Sequence, residues 1–139
     1  MKAKIAALSA VVGFVLLGTA GVVAHHSFAA EFDAAKPLNL KGIVTKIEWA
    51  NPHTYFYMDV TAQDGKVVNW GMEMGSPNGL MRQGWTRNTL HVGDEVVVEG
   101  SQAKDGAHVG NARVVTLAAT GKRLFAATSQ TETPQQQQR

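Results

Sequence analysis

Histidine is the residue type best equipped to do chemistry in this chain. His25 and His26 are adjacent, while His53, His91 and His108 are spread through the rest. A cut after Ala24 makes His25 the first residue, so that one residue offers both an α-amine and an imidazole. Those two nitrogens can chelate one Cu(II) ion as a histidine brace, and a third nitrogen from another histidine completes a T-shaped set. Amine and imidazole nitrogens suit Cu(II), which tops the divalent affinity order, so copper is the cofactor this donor set points to. His26 adds a second imidazole and lets the intervening amide join the chelate. The arrangement depends on the cut falling at that one bond. The simpler reading is that two exposed histidines follow a leader and bind metal adventitiously.

The remaining candidates are weighed by position. His53 and His108 are expected in the connections between strands 1 and 2 and between strands 4 and 5, where a mobile His25-His26 arm can reach them. His25, His26, His53 and His108 are therefore the candidate metal ligands. The competing roles are a turn residue that caps a backbone group for His53 and a plain loop residue for His108. His91, just before Gly93-Asp94, reads as solvent-facing. Met58, Met72 and Met74 carry soft thioethers that suit Cu(I), but alternation places them with Phe56, Val60, Val68 and Trp70 on core-facing sides, where methionine fills gaps. Glu73 is expected to face away from that core beside a helix start. Capping the helix is the cheaper role for it and ligation the alternative. Asp94 is expected to shape a turn, and Arg82 and Arg87 to lie on the helix surface.

These groups need a compartment and a scaffold. Lys2 and Lys4 precede a run, Ile5 to Ala24, that is almost wholly apolar or small, and Val22 and Ala24 supply small residues at the −3 and −1 positions of a cleavage site. Residues 1–24 therefore read as a secretory signal peptide, which implies a periplasmic protein with no membrane span after cleavage. The alternative is an uncleaved anchor, because the run approaches the ~18–20 residues that span a bilayer. The chain has 139 residues, with 13 Lys+Arg and 11 Asp+Glu. Losing Lys2 and Lys4 leaves 11 of each, and a neutral mature chain argues against nucleic acid as a partner. Cysteine is absent, which excludes disulfides, thiol catalysis and thiolate ligands.

The scaffold is read as all-β. Residues 25–37 form an N-terminal arm, with Phe28 and Phe32 spaced for one helical turn or for packing on the domain. Residues 38–126 form the domain, and residues 127–139 form a polar, glutamine-rich tail expected to be disordered. Strand 1 covers Leu40 to Trp49, with Ile43, Ile47 and Trp49 on one face. Strands 2 and 3 are Thr54 to Thr61 and Val67 to Met74, joined by an Asp64-Gly65 hairpin. Ser76-Pro77 opens a short helix that ends near Thr86 to Asn88. Strands 4 and 5 are Glu95 to Gly100 and Gly110 to Leu117, and Arg123-Leu124-Phe125 extends or caps the last one. Three strands, a helix and two strands is the order of a small five-stranded antiparallel barrel of the oligonucleotide/oligosaccharide-binding (OB) type, with its helix between strands 3 and 4.

With these segments placed, the chain resembles the bacterial domain of unknown function 6152 family. The residues that carry the resemblance are the His25-His26-Ser27-Phe28 leader, Asn51-Pro52-His53, Trp70 with Glu73, Ser76-Pro77, Gly84-Trp85, Gly93-Asp94 and Asn111-Ala112-Arg113, and it runs nearly to Phe125. His91 and the glutamine tail stand outside the pattern. The resemblance implies export and a compact β domain, and no activity.

No serine or cysteine nucleophile motif and no phosphate-cradling glycine loop is present, so a catalytic reading lacks support. Two classes of function remain. One is a periplasmic copper-binding protein that carries or buffers metal for a protein partner or metal acceptor. The other is a metal-independent ligand- or protein-binding module of the cell envelope, with recognition loops at Asn51 to Tyr57 and Gln102 to Asn111. Tyr55 and Tyr57 could stack on a ligand there or simply pack on the sheet.

Overall fold

Strict alternation makes Tyr55–Thr61 and Val67–Glu73 strands, and the Asp64-Gly65 turn folds them together. Gly65 has φ +82°, which costs glycine little and other residues much. The computed structural model describes residues 28–127. The expected signal peptide, His25, His26 and the expected tail beyond Ala127 lie outside the described residues. The elements in order are α1 (Phe28–Glu31), β1 (Phe32–Glu48), β2 (Tyr55–Thr61), β3 (Val67–Glu73), α2 (Pro77–Arg82), β4 (Glu95–Ala103), β5 (Val109–Leu117) and β6 (Arg123–Phe125).

The protein is all-β in class, with one six-stranded, mostly antiparallel sheet in the order β3-β2-β1-β4-β5-β6 and two short helices. An extra parallel pairing joins β3 to β5, with Gly71, Met72 and Glu73 opposite Val109, Gly110 and Asn111. β3 is therefore hydrogen-bonded on both sides, to β2 and to β5. The side chains of Phe56, Met58, Met72, Met74, Val96, Val98 and Val115 are fully buried between the strands. All three methionines singled out as soft donors are core residues.

Strand 1 departs from the expected pattern in two ways. It begins at Phe32 rather than near Leu40, so residues 32–37 of the arm are strand, following the single helical turn of α1. Its inward face also changes parity. A bulge lies between Val44 and Lys46 in the pairing with β2. Before it, Leu38, Leu40 and Val44 face the core, and after it Ile47 and Trp49 do. Ile43, expected to share a face with Ile47, is instead 41% exposed. One extra residue in a strand reverses which side chains point inward, which simple alternation does not anticipate.

The helix after β3 starts as expected. Ser76 caps it by accepting a hydrogen bond from the Gly79 amide at 3.2 Å, and Pro77 follows at the first helical position. It stops at Arg82, earlier than expected, because Gly84 turns the chain at φ +92°. Trp85 therefore leaves the helix. It is 2% exposed, and its indole Nε1 donates to the Phe125 carbonyl at 2.8 Å, which ties the segment after α2 to β6. Arg82 and Arg87 are exposed, Arg87 beyond the helix end.

β4 and β5 approach so closely at Gly100 that a Cβ there would lie 2.0 Å from the Asn111 carbonyl oxygen. The obstacle is main chain and cannot swing aside. Gly100→Ala is expected to lower the unfolding free energy by about 2–3 kcal/mol, measured by denaturant titration followed by tryptophan fluorescence.

Candidate functional site

Alternation in β2 and β3 sends Phe56, Met58, Trp70 and Met72 inward, so Tyr55, Tyr57, Gly71 and Glu73 face outward. The hairpin register places Tyr55 directly opposite Glu73, and the β3–β5 pairing places Glu73 opposite Asn111. Glu73 thus sits on an outer face yet is only 5% exposed. A buried carboxylate is costly unless it is hydrogen-bonded. The Tyr55 hydroxyl donates to Glu73 Oε2 at 2.6 Å, and His53 Nδ1 makes a close polar contact with Oε1 at 2.8 Å.

The geometry dictates what His53 can do. Its side chain, in the β1–β2 connection, is 29% exposed. Nδ1 is the ring nitrogen that faces the carboxylate, which leaves Nε2 on the far side of the ring. A carboxylate beside the other ring nitrogen is the kind of outer partner that metal-ligating histidines have. The capping role expected for Glu73 is overturned, because Ser76 caps the helix and both Glu73 oxygens hold other side chains. The sequence only half carried this signal: the register is centred on Asp64, whereas counting from Asp64-Gly65 as a two-residue turn sets Tyr55 opposite Met74.

Beside this cluster lies an open cleft of about 410 Å³, lined in part by Glu31, Phe32, Tyr55, Glu73, Lys104 and Asp105. One wall is α1, strapped to the β4–β5 connection. The Lys104 amide donates to the Glu31 carbonyl at 2.9 Å, the Lys104 ammonium donates to the Ala29 carbonyl, and Lys36 Nζ donates to the Lys104 carbonyl at 3.0 Å. Phe32, stacked on Phe28 and buried opposite Ala103, anchors the strap.

The other histidines have separate settings. The His108 ring packs on Trp70, with centroids 5.0 Å apart, and its carbonyl accepts the Gly71 amide at 3.0 Å. The His91 side chain is 67% exposed, and its amide donates to Asp94 Oδ2 at 2.8 Å, so Asp94 shapes that turn as expected. His25 and His26 lie outside the described residues, which end at Phe28 on that side. Among the described residues, no three His, Asp or Glu side chains are grouped as a metal cluster. Within this region the structure joins His53 to Glu73 and Tyr55, and His108 to Trp70.

A family model described as a family of unknown function (DUF6152) matches residues 14–112. The chain belongs to this family. The DUF6152 match includes His53, Tyr55 and Glu73 and ends inside β5, short of Arg113 and Phe125, to which the resemblance had been read. No curated protein and no solved structure matches the chain.

Tyr55 supplies a test of the cluster in this DUF6152 member. Burial holds its phenol above the ordinary tyrosine value, helped by its hydrogen bond to Glu73 and by that carboxylate's charge. A phenol with a raised pKa in the folded state stabilises the fold below the unfolded value of about 10 and loses that contribution as pH climbs past it. The melting temperature is expected to fall between pH 9 and 11, and less steeply in Tyr55→Phe, by calorimetry across that range.

Proposed function

We propose that this DUF6152 protein is an exported, periplasmic binding protein that holds copper through its processed N-terminus and His53. The observation that carries this reading is the 2.8 Å contact between His53 Nδ1 and the buried Glu73, which leaves Nε2 as the donor. Cleavage after Ala24 would add the His25 amine and imidazole, with His26 alongside. The donor set is then all nitrogen, which suits Cu(II). Residues 25–27 directly precede α1, and α1 is strapped beside Glu73, so the tether to the cluster is short. Copper would supply Lewis acidity and one-electron chemistry. The residues would bind it and present one imidazole whose other ring nitrogen faces Glu73. His108 remains the alternative third ligand, and a periplasmic metal acceptor the partner.

The scaffold is proposed to be an OB-like barrel. In support, the pairings β1–β2, β2–β3, β3–β5, β5–β4 and β4–β1 return to their start through five strands, with α2 between β3 and β4. β6 is then an addition beside β5. Export is supported by the charged start and apolar run of residues 1–24. Among the described residues, no helix is long and apolar enough to cross a membrane.

The cleft supports a second reading, a metal-independent site for a small ligand between the β1–β2 and β4–β5 connections, where OB-type barrels bind. Copper titration of protein processed in the periplasm separates the two, with intact mass to fix its N-terminus. The copper reading expects one tight equivalent with nitrogen hyperfine structure in the electron paramagnetic resonance spectrum. His53→Ala, or one residue added before His25, should weaken binding by at least the roughly 10–100-fold typical of lesser, outer-partner losses. Weak binding of several equivalents, or another N-terminus, would leave the cleft reading.

A further inference from the structure

We infer that the cleft beside Glu73 takes a small organic cation, an amine carried on a short apolar body. This inference goes beyond the copper reading. It rests on the cleft reading for the existence of the site, and it names the ligand class which that reading leaves open.

The cleft, about 410 Å³, falls in the size range of small-molecule sites, roughly 300–1,000 Å³. Its described lining carries three carboxylates, Glu31, Glu73 and Asp105, against one ammonium, Lys104. That ammonium donates to the Ala29 carbonyl and so is engaged in holding the α1 wall. Glu73 is nearly dry, while Glu31 and Asp105 are exposed. Clefts with one sign of charge and low-dielectric walls focus the field, so this one draws cations and repels anions. The Tyr55 phenol senses the same field. Burial holds it above its ordinary range, and the charges of Glu73 and then Glu31 push it the same way.

Charge alone would suit any cation, and the remaining walls narrow the choice. Phe32 and Tyr55 bring aromatic rings to the lining, and Ala30, Ala103 and Val109 bring small apolar side chains. Phe32 is fixed by its stack on Phe28 and by burial opposite Ala103. Among the described residues, no three His, Asp or Glu side chains form a group that could chelate a metal ion. A bare ion therefore finds neither a ligand cage nor a use for the apolar walls. An organic ammonium uses both parts, with its carbons on the apolar lining and its N–H groups on carboxylates, and ring faces attract its charge as well.

The test titrates metal-free, nitrogen-15-labelled protein processed in the periplasm with benzylamine, benzyl alcohol and benzoate at neutral pH. The three probes share a ring and differ in charge. Benzylamine should move the amide signals of Glu31, Phe32, Lys104 and Val109 and bind about tenfold or more tightly than the other two. Ammonium chloride at the same concentration should leave those signals in place. Glu31→Gln and Asp105→Asn should each weaken benzylamine by about threefold to tenfold and leave benzyl alcohol unchanged. Asp105→Asn keeps an oxygen for the Ala107 amide, which Asp105 Oδ1 accepts at 2.9 Å, so the turn survives that change. Benzyl alcohol or benzoate binding there as tightly as benzylamine would overturn the inference and leave the cleft reading standing. Ammonium ion matching benzylamine would overturn it in favour of a bare-ion site. Amide signals unmoved by all three ring probes would overturn the inference and the cleft reading together.

Discussion

β3 is hydrogen-bonded on both sides, and the site follows from that constraint. Pairing with β2 sets Tyr55 opposite Glu73, and pairing with β5 brings Val109 and Asn111 up to the same short segment. A strand with one free edge would leave the Glu73 carboxylate in water, where its contacts would be worth little. Enclosed between two neighbours, the same carboxylate is nearly dry and must be satisfied by fixed donors. The closure also explains the small residues near it. A Cβ at Gly110 would meet the Leu38 side chain at 2.6 Å and the Met72 sulfur at 3.0 Å, so the strands can come together there only without a side chain.

The energetic logic of the cluster is one of compensation. Taking a carboxylate out of water costs several kcal/mol, and charge-assisted hydrogen bonds return it only if both oxygens are engaged. Tyr55 supplies one such bond and His53 a close polar contact, and each is held independently. Tyr55 is fixed by strand pairing. His53 is fixed through its neighbour Thr54, whose amide donates to the Gly75 carbonyl and whose carbonyl accepts the Met74 amide. The main chain beside His53 is therefore tied to Met74 and Gly75, directly after Glu73.

Periodicity in the sequence was enough to read β2, β3, β4 and β5, the Asp64-Gly65 hairpin and the Ser76-Pro77 helix start. All of these are local, because one residue's neighbours along the chain decide them. What escaped was non-local or depended on a single inserted residue. The bulge after Val44 turned Ile43 outward, the early strand at Phe32 is held only by β4, and the buried setting of Glu73 needs β5 as well as β2. Half of the site was nevertheless within reach. His53 stood out by its place in a turn, while pairing Glu73 with Tyr55 required knowing that the hairpin is centred on Asp64 and not on the Asp64-Gly65 bond. Their depth was out of reach, because it is created by a partner strand some forty residues away in the chain.

The pairing scheme also bears on how these molecules tolerate one another. Unpaired strand edges are templates on which other chains add, the first step toward fibres and amorphous precipitate. Among the described residues, β1, β2, β4 and β5 each have strands on both flanks, β3 has β5 beside it at Gly71 to Glu73, and the edges that remain are the start of β3 and β6, three residues long. The first residue of β6, Arg123, reaches back across β5 to Glu99 on β4 at 2.5 Å and fastens this short strand to the sheet. With its edges reduced to such short pieces, the sheet offers little for a second copy to grow upon.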